Sequence, residues 1–136
     1  MRAAVVAVGS ELLLGDVVNS DAAVLGKELT AAGVEVVTSV AVADDLDRLV
    51  ATIRLCLAGA DLVVLCGGLG PTVDDLTRDA VAVACDAPLR RDPELVAHLE
   101  QLLSAYQGRV PADVYRQADV PEGAEALPNP AGTAPG

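Results

Sequence analysis

The sequence predicts an α/β fold, a three-layer α/β/α sandwich built on a mostly parallel sheet. Three runs rich in Ala, Val and Leu alternate with stretches of helical spacing, and apolar runs of this kind are typical of strands buried on both faces. The three runs are Ala3–Val8, Val34–Val40 and Asp61–Cys66. The chain has 136 residues, 52% of them hydrophobic, which fits one domain over residues 1–136.

The first strand and the first helix have clear boundary signals. Gly9 closes the apolar run, and Leu12–Gly15 is expected to form a loop or short turn. Asn19–Asp21 then offer side-chain oxygens that can cap a helix over residues 22–32. Gly33 follows at the position where a glycine commonly ends a helix.

The second helix is predicted between the second and third strands. Asp44 and Asp45 are expected to cap it, and Gly59 is expected to end it. The apolar residues that recur at helical spacing are Leu46, Leu49, Ile53 and Leu57. Because crossovers between parallel strands are right-handed, residues 1–66 predict a βαβαβ unit with helices on both faces of the sheet.

The second half of the chain has weaker patterns. Pro88 breaks the chain, and Asp92 precedes Pro93 in the arrangement of a helix N-terminus. The predicted elements are a helix ending at Ala84, a helix from Pro93 to about Gln107, a short helix near residues 113–117 and a loop over residues 121–136.

Charge and cysteine content exclude several classes of function. Twenty acidic and nine basic residues give a net charge of −11, which repels a nucleic-acid backbone, so no nucleic-acid partner is predicted. The three cysteines lack the spacing of a zinc site or disulfide framework, and Cys66 is expected to be a small core residue. No segment has membrane-span length, and the apolar run Ala3–Val8 is too short for a signal peptide, so a cytoplasmic location without a membrane partner is expected.

The strongest local signal is a glycine-rich turn followed by two aspartates, directly after the third predicted strand. Its sequence is Gly67-Gly68-Leu69-Gly70-Pro71-Thr72-Val73-Asp74-Asp75-Leu76-Thr77. In open parallel sheets ligands bind beyond the carboxyl ends of the strands, and glycines let backbone amides approach phosphate oxygens. Gly9-Ser10-Glu11 ends the first strand at the same edge. Val73 excludes a dinucleotide fingerprint, and the lack of a lysine within this segment excludes a Walker A loop.

Two interpretations of Asp74 and Asp75 remain open from the residues alone. Together they can coordinate a hard cation such as Mg²⁺, which would neutralise ligand phosphates. Alternatively, one of them only caps the helix that starts nearby. Ser10 and Glu11 can likewise be plain turn residues, and the glycines fit either a tight turn or a phosphate cradle.

Other candidate residues carry weaker signals. His98 falls on a predicted helix and is expected to be a partly exposed surface histidine. Arg116 is a candidate partner for a ligand phosphate, because the chain is poor in cations. No Ser/His/Asp or Cys/His arrangement is visible in the sequence.

In combination, these segments resemble the CinA (competence/damage-inducible protein A) family. The matching motifs, in family order, are Ala7–Gly15, Val18–Asp21, Gly67–Thr77, Arg116–Ala118 and Leu127–Gly136. The motif Gly-Gly-Leu-Gly-Pro-Thr-x-Asp-Asp-Leu-Thr is the specific one among them. The resemblance covers essentially the whole chain and implies a fold similar to the MoaB/MogA molybdopterin-binding domain.

The resemblance also implies a site and an activity. It implies one pocket formed by the loops Gly9–Gly15, Gly67–Asp75 and Asn129–Gly136, and hydrolysis of ADP-ribose to AMP and ribose 5-phosphate with Mg²⁺ or another divalent metal. In that reading Asp74 and Asp75 hold the metal and act with Glu11 in catalysis. The implied ligand-binding residues are Gly9, Ser10, Asn19, Gly67, Gly68, Gly70, Pro71, Thr72, Asn129, Gly132 and Thr133.

The chain differs from the family pattern after Gly136, where family members continue through a further strand and a smaller subdomain. The domain is therefore expected to be C-terminally incomplete, and the C-terminal amidohydrolase domain that many members carry is not expected within these 136 residues. A small-molecule nucleotide ligand and a homo-oligomeric state are expected. Two alternatives stay open: molybdopterin binding or adenylylation in molybdenum-cofactor assembly, and a non-catalytic ligand-binding or oligomerisation module.

Overall fold

A three-stranded parallel sheet organises the chain. A computed structural model describes residues 1–104 and 110–136. The strands β1 (Arg2–Val8), β2 (Glu35–Val42) and β3 (Leu62–Cys66) lie in the order β2-β1-β3. β1 runs parallel to both neighbours, and its Val5 is aligned with Ser39 on one side and Val64 on the other. The predicted α/β fold with a parallel sheet is confirmed.

Helices connect the strands and cover the sheet. They are α1 (Ser10–Leu14), α2 (Ser20–Ala31), α3 (Leu46–Gly59), α4 (Thr77–Ala84) and α5 (Pro93–Leu103). α2 leads from β1 to β2, and α3 leads back across the sheet from β2 to β3. Right-handed crossovers, the rule for parallel strands, place these two helices on opposite faces of a sheet with this strand order. α4 packs against α3 and extends that layer.

The hydrophobic core lies between the sheet and the layer of α3 and α4. All residues from Ala3 to Val8 are buried, as are Leu49 and Ile53 of α3 and Ala80 of α4. Burial of β1 on both faces explains its continuous apolar sequence. Because the chain has no Phe or Trp, small aliphatic side chains fill this core.

The segment after β1 differs from the prediction of a loop or short turn over Leu12–Gly15. Residues Ser10–Leu14 form the short helix α1, and Gly15 ends it in a left-handed conformation with φ +79°. A helix of this length contains too few residues for a periodic apolar pattern, so sequence periodicity does not reveal it.

Only one of the two predicted caps of α3 is a cap. The carboxylate of Asp45 accepts from the Arg48 amide at 2.9 Å. Asp44 instead accepts from the amide and the hydroxyl of Ser10, each at 2.9 Å. The prediction that Asp44 caps α3 is therefore wrong. Asp44 lies close to Ser10 because β1 and β2 are parallel and end side by side, at Val8 and Val42.

A small second sheet lies beyond α4, where the sequence predicts no strand. β4 (Leu89–Arg91) pairs antiparallel with β5 (Asp119–Pro121). Strands of three residues are too short to show an alternating pattern, and their partners are far apart in sequence. The short helix predicted near residues 113–117 is confirmed as a 3₁₀ helix over Ala112–Ala118.

The remaining elements largely follow the prediction. α5 begins at Pro93 behind its cap Asp92 and ends at Leu103, followed by Ser104 as its C-cap; residues 105–107 of the predicted extension lie outside the described residues. Residues 122–136 contain no helix or strand, as expected, whereas Pro121, the first residue of the predicted loop, belongs to β5. Within the described ranges, no helix is both long enough and apolar enough to cross a membrane.

Candidate functional site

The loops after β1 and β3 meet at one edge of the sheet. Gly67 has φ +89°, and a side chain there would collide with the carbonyl oxygen of Val8, the last residue of β1. Gly68 has φ +63°, and a Cβ there would meet the Thr77 hydroxyl. Positive φ and close backbone approach both require glycine at these two positions.

Thr77 anchors the first half of the glycine-rich loop (residues 67–75). Its hydroxyl donates to the carbonyl oxygen of Gly67 at 2.7 Å, and its amide donates to that of Gly68 at 3.1 Å. Thr77 is only 3% exposed. It therefore joins the loop firmly to the first turn of α4.

Two arginines anchor the second half of the same loop. The guanidinium of Arg78 donates to the carbonyl oxygens of Leu69 and, over 2.7 Å, of Gly70. The guanidinium of Arg116 donates to the carbonyl oxygen of Thr72 at 2.5 Å. It also pairs with a carboxylate of α4 at 3.1 Å. The Arg116 side chain is thus engaged within the chain, whereas the sequence suggested a ligand phosphate as its partner.

Arg78 is a buried cation. Burial lowers the pKa of its guanidinium, and the nearby charge of Arg116 acts in the same direction. The carboxylates of Asp79, Asp75 and Asp119 oppose this effect. The group stays protonated because an arginine pKa lies far above neutral pH.

The anchored carbonyls fix the direction of the loop amides. All peptide bonds of the described chain are trans, so a carbonyl and the following N–H point in opposite directions. Thr77 binds the carbonyls of Gly67 and Gly68, so the amides of Gly68 and Leu69 point away from Thr77. Neither amide finds an acceptor among the described residues. Two outward-facing donors of this kind are suited to an anion.

Asp75 closes the glycine-rich loop on itself. Its Oδ2 accepts from the amide of Thr72 at 2.8 Å and from the Thr72 hydroxyl at 2.6 Å. Burial would raise the pKa of Asp75, but the hydrogen bonds from Thr72 and the Gly70 amide, with the charge of Arg78, outweigh it and hold the pKa below its usual value. Asp75 is therefore a carboxylate at neutral pH.

Neither aspartate caps the following helix. The cap position of α4 is Leu76, which makes no side-chain capping bond. Asp75 stabilises the preceding turn instead, and Asp74 is exposed. The interpretation of these two residues as caps of α4 is therefore wrong.

Asp74 and Asp75 offer a small donor set for a metal. Within the described residues no group of three or more His, Cys, Asp or Glu side chains is arranged to hold a metal, so Glu11 does not join the two aspartates in a three-carboxylate cluster. Mg²⁺ often uses only one or two carboxylates and takes its other ligands from water and substrate phosphates. Asp74 and Asp75 provide two adjacent carboxylates of this kind, and their role in holding a metal stays a prediction.

Ser10 and Asp44 form a reciprocal link at the end of β1. The Ser10 hydroxyl donates to the Asp44 carboxylate and accepts from the Asp44 amide at 3.2 Å. Together with the bond from the Ser10 amide, this fixes the turn after Gly9. A ligand contact of the Ser10 side chain stays a prediction, because its hydroxyl already has partners within the chain.

A cavity of about 140 Å³ brings Glu11, Asn19 and Gly67 together. The Oδ1 of Asn19 accepts from the Ala22 amide at 3.1 Å, so Asn19 also caps α2 as predicted. Cys66 lines the same cavity rather than the core. Burial raises the pKa of its thiol, and a nearby aspartate raises it further.

The C-terminal loop (residues 126–136) does not line this smaller cavity. Asn129 is held within it by bonds to two backbone groups, and the Thr133 hydroxyl donates to Oε1 of Gln117 at 2.6 Å. Asn129, Gly132 and Thr133 line a larger cavity, of about 540 Å³, between this loop and α5. No residue of 9–15 or 67–75 lines it. The described residues thus form two separate cavities, whereas one pocket made by all three loops was expected.

Sequence reasoning missed three residues that shape the site: Asp44, Thr77 and Arg78. Their targets lie 8 to 34 residues away along the chain. Arg78 alone carries a sequence signal, since a cation directly after the glycine-rich motif is unusual in a chain with nine basic residues.

Comparison with known proteins agrees with this architecture. Residues 4–136 match the family described as "Probable molybdopterin binding domain". A CinA-like protein of Frankia casuarinae is 52% identical over 141 residues, which cover all of this chain and 33% of that protein. The chain therefore spans about a third of the length of this relative.

Solved structures give the same result. The protein CinA from Thermoplasma acidophilum, described as having unknown function, superposes with a TM-score of 0.93 at 38% identity over 99% of this chain and 79% of its own. The molybdopterin biosynthesis enzyme MoaB of Thermus thermophilus, at 19% identity and a TM-score of 0.58, covers 89% of this chain and 79% of its own and shares the fold. The chain belongs to the family of probable molybdopterin-binding domains, as a CinA-like member.

Proposed function

We propose that the chain is a nucleotide-binding domain that hydrolyses ADP-ribose-type diphosphates to AMP and ribose 5-phosphate with a divalent metal. One observation carries this proposal: Thr77 binds the carbonyl oxygens of Gly67 and Gly68, so the amides of Gly68 and Leu69 face outward. A diphosphate is the kind of anion that such amides bind. The ligand contacts that the sequence analysis predicts for the other site residues are part of the same proposal.

The two aspartates supply the negative charge that a metal needs. The low pKa of Asp75 keeps it ionised at neutral pH, and Asp74 lies exposed next to it. Asp74 and Asp75 would hold Mg²⁺ or a similar ion, which supplies charge neutralisation for the diphosphate. In this way an acidic chain can bind an anionic substrate.

The reaction adds one water across the diphosphate bridge. The water oxygen bonds to one phosphorus, the bond from that phosphorus to the bridging oxygen breaks, and the bridging oxygen leaves on the other phosphate. The water proton is released to a base. Glu11, at the same sheet edge, is the residue we assign to accept that proton or to hold the water.

The decisive test is AMP release from ADP-ribose in the presence of Mg²⁺. We expect turnover by the chain and a loss of about 100-fold or more in Asp74→Asn. Asp47→Asn, the same substitution at an exposed position on α3, is the matched control and should retain activity. Adding EDTA should abolish AMP release. No AMP above background, from protein with native circular dichroism, rejects the hydrolase proposal.

Molybdopterin binding is the second candidate, because the matching family is described by that ligand. The phosphate of a pterin cofactor would use the same outward-facing amides. Quenching of pterin fluorescence on mixing, without AMP release from ADP-ribose, would favour it. Binding of ADP-ribose without turnover would instead leave a non-catalytic ligand-binding module.

A further inference from the structure

A cluster of exposed apolar side chains lies on α1, the loop after it and the start of α2. Each of its members is more than half exposed: Leu13, Leu14, Val17, Val18 and Val24. The exposed fraction reaches 75% at Leu14 and 85% at Val18. Single exposed apolar residues are normal on a protein surface, whereas a contiguous group of them marks an interaction site. We name the surface of residues 13–24 the apolar patch.

The described chain covers this side of the sheet only thinly. The buried core lies on the other side, where α3 contributes Leu49, Val50, Ile53 and Cys56. Neither α1 nor α2 has a buried residue. The two helices that form the apolar patch therefore keep apolar area that a partner can remove from water.

Carboxylates surround the apolar patch. Four exposed acidic residues flank or interrupt it, against a single lysine in the same stretch: Glu11, Asp16, Asp21 and Glu28. None of the four forms an ion pair within the part of the chain that the structure describes. A partner with basic groups around an apolar surface of its own complements this pattern of charge.

The same charge disfavours two other occupants. In a two-fold dimer identical patches meet, so a second copy would bring like carboxylates together between chains that each carry a net charge of −11. The negative surface of a membrane with anionic lipids would also be repelled. A partner strand is disfavoured as well, because helices bond their own backbone groups and offer no strand edge.

We infer that the apolar patch docks a cationic amphipathic helix of another protein. The apolar face of that helix covers Leu14 and Val18, and lysines or arginines at its margins pair with Asp16 and Asp21. Val17 and Val18 also line the smaller cavity, so the docked helix borders the candidate site. The inference goes beyond the proposed function, because it requires neither a nucleotide nor a metal.

A synthetic helix of leucine and lysine is the probe for this surface. It is about 18 residues long, about five turns, with its leucines on one face. Isothermal titration calorimetry measures its affinity for the chain in about 0.15 M salt, which screens exposed charges that are far apart. A peptide of the same composition with scattered leucines should bind about tenfold more weakly. A peptide with glutamate in place of lysine should not bind.

Variants at exposed positions locate the contact without disturbing the core. Leu14→Ser and Val18→Ser should each weaken binding of the leucine–lysine helix by about tenfold. Leu55→Ser is the matched control, since Leu55 is 74% exposed but lies on α3, and it should leave the affinity unchanged. Asp16→Asn should reduce the dependence of the affinity on salt.

Three results would overturn the inference. The first is equal binding of the peptide with scattered leucines, which would show only attraction to an acidic chain. The second is full affinity in both Leu14→Ser and Val18→Ser. The third is self-association of the chain alone, measured by light scattering and abolished by Val18→Ser, which would assign the apolar patch to a second copy. Since no arm of this experiment requires turnover, its failure and the failure of the hydrolase assay are separate results.

Discussion

The Nη2 of Arg78 lies 2.7 Å from the carbonyl oxygen of Gly70, and this bond joins a buried guanidinium of α4 to the glycine-rich loop. A second bond from the same guanidinium reaches the neighbouring carbonyl of Leu69. The amide that follows the Leu69 carbonyl belongs to Gly70 and donates to Asp75, so these bonds together fix the second half of the loop. The glycine motif therefore depends on a residue just outside it.

Arg78→Lys tests this dependence. A lysine keeps the charge but cannot donate two hydrogen bonds in a planar fork. We expect the free energy of unfolding to fall by about 1–3 kcal/mol, because a half-buried carbonyl loses its charged donor. Arg54→Lys, at a surface arginine, is the control and should change it by less than about 0.5 kcal/mol. Urea denaturation measures both, and equal effects would contradict the anchoring role.

Asp75 should make stability depend on pH. Its folded-state pKa lies below the unfolded value, so its contribution is present above the unfolded pKa and is lost as the pH falls through the folded pKa. Asp75→Ala is expected to lose about 1–2 kcal/mol at pH 7. That difference from the parent should shrink in acid.

Asp74→Ala is the matched control for this pH effect. Its carboxylate is exposed and makes no side-chain hydrogen bond within the described chain. Its difference from the parent should therefore stay small and flat from pH 7 to acid. Denaturant unfolding at a series of pH values tests both variants, and a pH-independent loss in Asp75→Ala would count against an ionised Asp75.

Substituting alanine for glycine should lower the free energy of unfolding at one position and raise it at another. Gly67→Ala meets both a positive φ and the carbonyl of Val8, so we expect a loss of about 2 kcal/mol or more. Gly26 lies inside α2 with open space around its Cα, and Gly26→Ala should stabilise by about 0.5–1 kcal/mol. Thermal unfolding compares the two. An unchanged thermal stability of Gly67→Ala would mean that the glycine-rich loop can move away from the end of β1.

Local sequence was sufficient for the elements whose burial is continuous along the chain. β1 is predictable because every residue from Ala3 to Val8 is buried, and the start of α5 is predictable because Asp92 and Pro93 are adjacent cap signals. α1 and the pair of strands β4 and β5 were missed because each is too short to carry a period. Their stability comes from partners elsewhere in the sequence.

The candidate site was predictable in composition but less so in arrangement. The sequence indicates the glycine-rich loop, since topology places it at the end of β3. It does not indicate that Asp75 binds Thr72 instead of capping α4. Nor does it indicate that Gln117 accepts a hydrogen bond from Thr133, in the lining of the cavity beside α5. Each of these contacts depends on side-chain directions that exist only after packing.

The adjacent aspartates before α3 should respond differently to the same substitution. Asp45→Ala removes a helix cap and should cost about 1 kcal/mol. Asp44→Ala removes the acceptor of the Ser10 amide and hydroxyl, so it should loosen the turn after β1 as well. Amide hydrogen exchange distinguishes them: Ser10 should exchange faster in Asp44→Ala, and Arg48 should exchange faster in Asp45→Ala. If the hydrolase proposal holds, only Asp44→Ala should also slow AMP release, because only that variant loosens the edge of the sheet where Glu11 lies. Unchanged exchange at Ser10 in Asp44→Ala would show that the turn is held by other contacts.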